Sequence, residues 1–70
     1  MDKQLSKKLA RRIKSLRRKN KFTQDDLSFL ANLPRSTIGN LESACSDVTL
    51  SKVNKIASAF NLSLSEFLDF

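Results

Sequence analysis

Apolar residues recur along this chain at helical intervals and never in sustained alternation. Leu5, Leu9, Ile13 and Leu16 fall at spacings of four, four and three, with Lys and Arg on the other faces, which predicts an amphipathic helix over about 5–20. After it, one short grammar repeats. An apolar residue precedes a capping residue and a second apolar residue follows five places later: Phe22-Thr23 with Leu27, Val48-Thr49 with Val53, Leu62-Ser63 with Phe67. A hydroxyl at the cap satisfies a free N–H of the first turn, and the flanking apolar pair staples the entering chain to the helix. Asp25 and Asp26 then complement the positive end of the second helix, and Ser63 with Glu66 reads as a capping box.

Leu33-Pro34 with Ile38 has the same spacing, but proline carries no capping oxygen and suits a first helical turn, so the third helix is expected to begin near Arg35. Asn32 and Asn61 stand where the second and fourth helices should stop, because Asn tolerates the left-handed conformation. The pattern predicts five helices near 5–20, 24–31, 35–43, 50–60 and 64–69, without strand or repeat. The expected fold is a compact all-α domain occupying residues 1–70, too short for a second unit or a deep catalytic cleft.

Between the second and third helices only about three residues remain for a turn, with Leu27, Ala31, Leu33, Ile38 and Leu41 placed to bury, the layout of a helix-turn-helix over 23–42. If Ile38 and Leu41 face inward, the opposite face of the third helix carries Ser36, Gly39, Asn40 and Ser43, flanked by Arg35 and Thr37. That face has no carboxylate. It is suited to base edges, since Arg offers two donors to guanine and Asn a donor and an acceptor to adenine, while small residues permit close approach. The plain alternative is that any amphipathic helix needs a polar face.

Composition narrows the classes. Hydrophobic residues make up 40% and charged residues 29%, as in a globular domain. With one Cys and no His, a disulfide framework and the usual zinc spacings are excluded, so the chain is read as intracellular and metal-free. Met1 to Arg12 lacks a signal-peptide core and no stretch approaches a membrane span, which predicts a cytoplasmic protein. The net charge is +6, but ten Lys and Arg stand against Asp2 in residues 1–21, and three against six acids thereafter. A polyanionic partner is implied, double-stranded DNA or an acidic membrane surface. The membrane reading ranks last because the first helix lacks an aromatic apolar face. Lys14, Arg18, Lys19 and Lys21 are the candidate phosphate contacts on it, of which two or three can meet one duplex.

The segments Ile13-Lys14-Ser15-Leu16-Arg17, Phe22-Thr23-Gln24-Asp25-Asp26-Leu27 and Arg35-Ser36-Thr37-Ile38-Gly39-Asn40-Leu41-Glu42 resemble the lambda-repressor-like, or Xre, family of helix-turn-helix DNA-binding domains. The likeness continues through Ile56-Ala57, Leu62-Ser63-Leu64 and Glu66-Phe67, and runs from Leu9 to Leu68. It implies that Gln24 contacts a phosphate and that Arg35, Ser36 and Asn40 hold base-reading positions, with Thr37 and Gly39 secondary. It implies further that Arg17 and Glu42 form a structural ion pair linking the first helix to the third. Three departures bear on boundary geometry: Pro34 at the cap, Asn32 in place of a turn Gly, and Lys21 where Gly often precedes the second helix. Chains this short in the family resemble controller proteins of restriction-modification systems, phage-type repressors and antitoxins. The implied function is a sequence-specific transcriptional regulator, a repressor or autoregulator binding a palindromic operator as a dimer. The alternative is an antitoxin-type protein that binds a toxin as well as DNA.

Leu64, Phe67, Leu68 and Phe70 give more apolar surface than a short last helix covers and are expected to form a homodimer interface. Phe29 and Leu30 either pack against the fourth helix or mark a surface for a protein partner. Cys45, without a neighbouring base or second Cys, reads as an inert surface thiol before a redox sensor. No cofactor, small-molecule substrate or enzymatic activity is expected: there is no glycine-rich nucleotide loop and no paired carboxylates in a plausible pocket.

Overall fold

In the computed structural model, which describes residues 3–44 and 48–70, the helices are α1 (Lys3–Lys19), α2 (Gln24–Ala31), α3 (Arg35–Glu42), α4 (Leu50–Ala59) and α5 (Leu64–Phe67). Cys45 lies outside the described residues. The expected all-α architecture and its five elements are present, with α1 starting at Lys3 and every helix except α2 ending one or two residues earlier than its periodicity suggested. No helix among the described residues is long and apolar enough to cross a membrane.

The caps explain where the helices begin. Thr23 Oγ1 accepts from the Asp26 N–H at 3.0 Å while Asp26 Oδ2 accepts from the Thr23 N–H at 2.9 Å, a complete capping box with Asp in the place usually held by Glu or Gln. Ser63 and Glu66 close the same reciprocal pair at α5, and Thr49 accepts from Lys52 at α4. Pro34 makes no side-chain cap; its carbonyl instead accepts from Thr37 and Ile38, and α3 begins at Arg35.

Three joints share one construction. Lys21, Asn32 and Asn61 all adopt left-handed backbone, with φ of 58°, 55° and 60°. The next residue in each case sends its N–H five residues back: Phe22 to Arg17, Leu33 to Ser28 and Leu62 to Ala57, at 2.9, 3.0 and 2.9 Å. Lys21, Asn32 and Asn61 donate to Arg18, Phe29 and Ser58, completing Schellman motifs. Phe22, Leu33 and Leu62 therefore terminate one helix and, as the apolar residue before the next cap, help start another, and all three pack against the core. The two asparagines do what their sequence positions predicted. Lys21 does it without the amide or the missing Cβ that favours this conformation.

The core is drawn from every helix: Leu9, Ile13, Leu16, Leu27, Ala31, Ile38, Leu41, Val53, Ile56, Ala57, Phe60 and Phe67. Phe60 stacks between Phe22 and Phe67, with ring centroids 5.9 and 6.5 Å apart, joining the α1–α2 joint to α4 and α5. Two expectations fail here. Phe67, assigned to a dimer face, is 0% exposed at the α5 end of this column and has no surface to offer a second copy. Leu5, assigned to the inner stripe, is half exposed, and Ser6 and Ala10 bury in its stead. Arg12 fixes α5 onto α1 by donating from Nε to the Phe67 carbonyl and from Nη2 to that of Glu66, each at 3.0 Å.

Candidate nucleic-acid interface

The Asn32-Leu33-Pro34 joint sets α3 against α2, and α3 also packs on α1. Ile38 and Leu41 bury on its inner face, so the polar residues must lie outward. Arg35, Ser36 and Asn40 are exposed, and Thr37 and Gly39 are half-buried beside them. All five sequence-predicted base-reading candidates thus share one short helix, and no carboxylate side chain lies on its exposed face; the only acid of α3, Glu42, is buried. A Cβ built on Gly39 would meet nothing within 4 Å and its φ is not positive, so nothing inside the fold requires glycine there. Ser43, just past the helix, turns its hydroxyl back to the carbonyls of Gly39 and Asn40.

Behind this face α3 is held by an ionic anchor. Arg17 meets Glu42 through two parallel contacts, Nε to Oε2 at 2.7 Å and Nη2 to Oε1 at 3.2 Å, with the side chains 18% and 4% exposed. The remaining Nη1 donates to the Phe22 carbonyl at 3.0 Å. Gln24 Nε2 donates to Glu42 Oε1 at 3.2 Å, so α1, α2 and α3 meet at one carboxylate, and Arg17 ties the joint to it. A charge this deep is tolerated because its lone pairs are met by a planar bidentate guanidinium and an amide. The pair implied by the family resemblance is therefore present, and Gln24, expected at a phosphate, also belongs to the anchor.

The candidate phosphate contacts separate into two places. Lys19 and Lys21 stand at the end of α1 beside the start of α2, with Arg18 exposed one residue earlier. Lys14 instead lines a shallow depression with Lys7 and Arg11 on α1 and Glu42, Ser43 and Ala44 at the far end of α3. Lys7 and Arg11 were not among the candidates read from sequence; their spacing of four and three up to Lys14 was the available sign that all three share a helix face. The second contact that sequence did not reveal is Arg35 Nε against Asp25 Oδ1 at 2.9 Å, between the starts of α3 and α2.

Of the apolar candidates, Leu64 is half-buried against the core, while Leu68 and Phe70 are exposed and line a groove with Leu5, Leu9, Val48, Leu50 and Val53. Neither Phe29 nor Leu30 is buried by packing on α4: Phe29 is 84% exposed and Leu30 about half. Both stay on the outside of α2 because Leu27 and Ala31 take its buried face.

Comparison with known proteins agrees with the architecture. The family described as Helix-turn-helix, HTH_3, matches residues 13–67. The restriction-modification controller protein C.AhdI from Aeromonas hydrophila superposes with a TM-score of 0.85 at 30% identity, over 90% of this chain and 96% of that one. An HTH_3 family transcriptional regulator from Vibrio cholerae gives 0.89 at 27% identity over 96% of this chain, which spans 38% of that longer protein. A variant of the restriction-modification controller protein C.Esp1396I gives 0.87 at 28% identity, over 93% of this chain and 84% of that one. No curated protein sequence matches significantly. With the match extending from the middle of α1 to the end of α5, the chain belongs to the HTH_3 family of helix-turn-helix DNA-binding transcription regulators.

Proposed function

We propose that this chain is a sequence-specific regulator that occupies a palindromic operator as a homodimer and acts as a repressor or autoregulator. The observation that supports this best is the outward face of α3, with exposed Arg35, Ser36 and Asn40 and half-buried Thr37 and Gly39 clear of any carboxylate side chain of that helix. In this reading Arg35 takes a guanine, Asn40 an adenine, Ser36 a donor or acceptor within reach, and Thr37 and Gly39 line the approach. Gln24, with one amide N–H spent on Glu42, gives the other to a phosphate oxygen, and Lys14, Arg18, Lys19 and Lys21 supply charge along the backbone. A regulator of the controller kind fits best, because C.AhdI is matched over almost its whole length. The proposed place of action is the cytoplasm, where such a protein meets DNA, and no cofactor or catalytic step enters.

Selection of bound duplexes from a random pool tests the reading, with a twofold-symmetric consensus as the expected result. Against that duplex Arg35→Ala should cost about 1–3 kcal/mol, with little change on random DNA. Equal losses on every sequence would remove base reading from Arg35.

A second reading, an antitoxin-type protein that also binds a toxin, is favoured by exposed Phe29 and Leu30 on α2. It predicts a stoichiometric partner that co-purifies with the native chain and is lost with Phe29→Ser while DNA binding persists.

A further inference from the structure

Arg35 is the sole cation between Lys21 and Lys52, and therefore the only one within the helix-turn-helix. It is not free. Its Nε lies 2.9 Å from Asp25 Oδ1, with side chains 63% and 77% exposed. Asp25 is not needed to start α2, since Thr23 and Asp26 already complete the capping box. An acid on the rim of a DNA-binding face repels phosphates, so its presence weakens binding to every duplex unless it does something for recognition.

Resting on the assignment of Arg35 as a base reader, we propose that Asp25 is a positioning and selectivity residue for that contact. Occupying Nε leaves the two terminal nitrogens of the guanidinium as a planar fork, the arrangement that meets guanine O6 and N7. It also cancels the charge that would draw Arg35 to any nearby phosphate. Arg35 then gains little on random DNA, where its terminal nitrogens find no matched acceptors and Asp25 stays close. On the matching base pair it keeps its carboxylate partner and adds the base. Discrimination rises because the wrong complex is made worse, which is as effective as improving the right one.

A double-mutant comparison tests this with three probes: the selected duplex, the same duplex with the base pair read by Arg35 replaced, and a random-sequence duplex. Arg35→Ala alone should reduce the preference for the selected over the substituted duplex about tenfold or more. Asp25→Asn should raise affinity for the random duplex and lower that preference several-fold, while Asp25→Glu restores most of it. In the Arg35→Ala background, Asp25→Asn should shift all three probes by one common factor, the plain effect of losing a negative charge. A common factor already in the Arg35 background would overturn the role of Asp25 while leaving base reading intact. Unchanged preference in Arg35→Ala would overturn base reading itself, and the proposal with it. Melting curves for each variant confirm that the chain is folded at the temperature of the binding measurements.

Discussion

At the residue scale, Glu42 and Gly39 show how α3 divides its side chains between fold and function. Glu42 accepts from Arg17 and Gln24 at 4% exposure, so cutting either charge strands the other. Removing one partner of such a pair costs about 3 kcal/mol, whereas a change at exposed Arg18 stays within about 0.5 kcal/mol. In a domain of this size Arg17→Ala should therefore lower the melting temperature by roughly 15 °C and Arg18→Ala by a few degrees at most. Matching melting temperatures would dismiss the anchor. Gly39 makes the opposite case. Glycine within a helix is roughly 0.5–1 kcal/mol worse than alanine, and a Cβ here would touch nothing. Gly39→Ala should accordingly raise stability by that amount and, if the backbone must approach the duplex closely, weaken operator binding several-fold. Greater stability with unchanged binding would take Gly39 out of the interface.

At the element scale, the starts of α2 to α5 were legible because they are written in adjacent residues: a hydroxyl or proline, an apolar residue before it and another five later. What lay outside that local grammar was missed. The Asp26 box escaped because Asp replaces the longer Glu or Gln, and the left-handed Lys21 because its side chain does not favour that state. The face of α3 was readable from its period, but the Asp25 contact depends on the angle between two helices, which no spacing along the chain records. The capping box at α5 also sets a pH dependence. The Ser63 N–H and hydroxyl hold the Glu66 carboxyl below its usual range. A carboxyl whose folded value is depressed stabilises fully above its unfolded value, about 4.3, and that contribution disappears as pH falls through the folded value. Urea unfolding should therefore show Glu66→Gln weaker than the parent at pH 7, with the gap closing towards pH 3. A gap of the same size at both pH values would mean that the charge plays no part.

At the scale of the whole molecule, the aromatic column of Phe22, Phe60 and Phe67 explains why the C-terminal apolar residues were only partly assignable from sequence. The last helix needs Phe67 for its own attachment, and only Leu68 and Phe70 remain outside, in the groove with Leu5 and Leu50. The proposed homodimer then has a sharp test. Leu68→Ser and Phe70→Ser should shift sedimentation towards monomer while leaving the helical signal intact, whereas Phe67→Ser should unfold the chain. Dimer unaffected by both surface changes would move the interface elsewhere. A two-fold pair matters because it sets two copies of α3 against half-sites about one helical turn, roughly 34 Å, apart. The three joints in which Phe22, Leu33 and Leu62 close one helix and open the next govern how such a protein can change over time. With no spare residue between the end of one helix and the beginning of another, an insertion or deletion there displaces the stop, the start and a core side chain together. Variation is thereby channelled into substitutions on the outer faces, so the operator preference of such a domain can drift while its chain length around the reading helix stays constant.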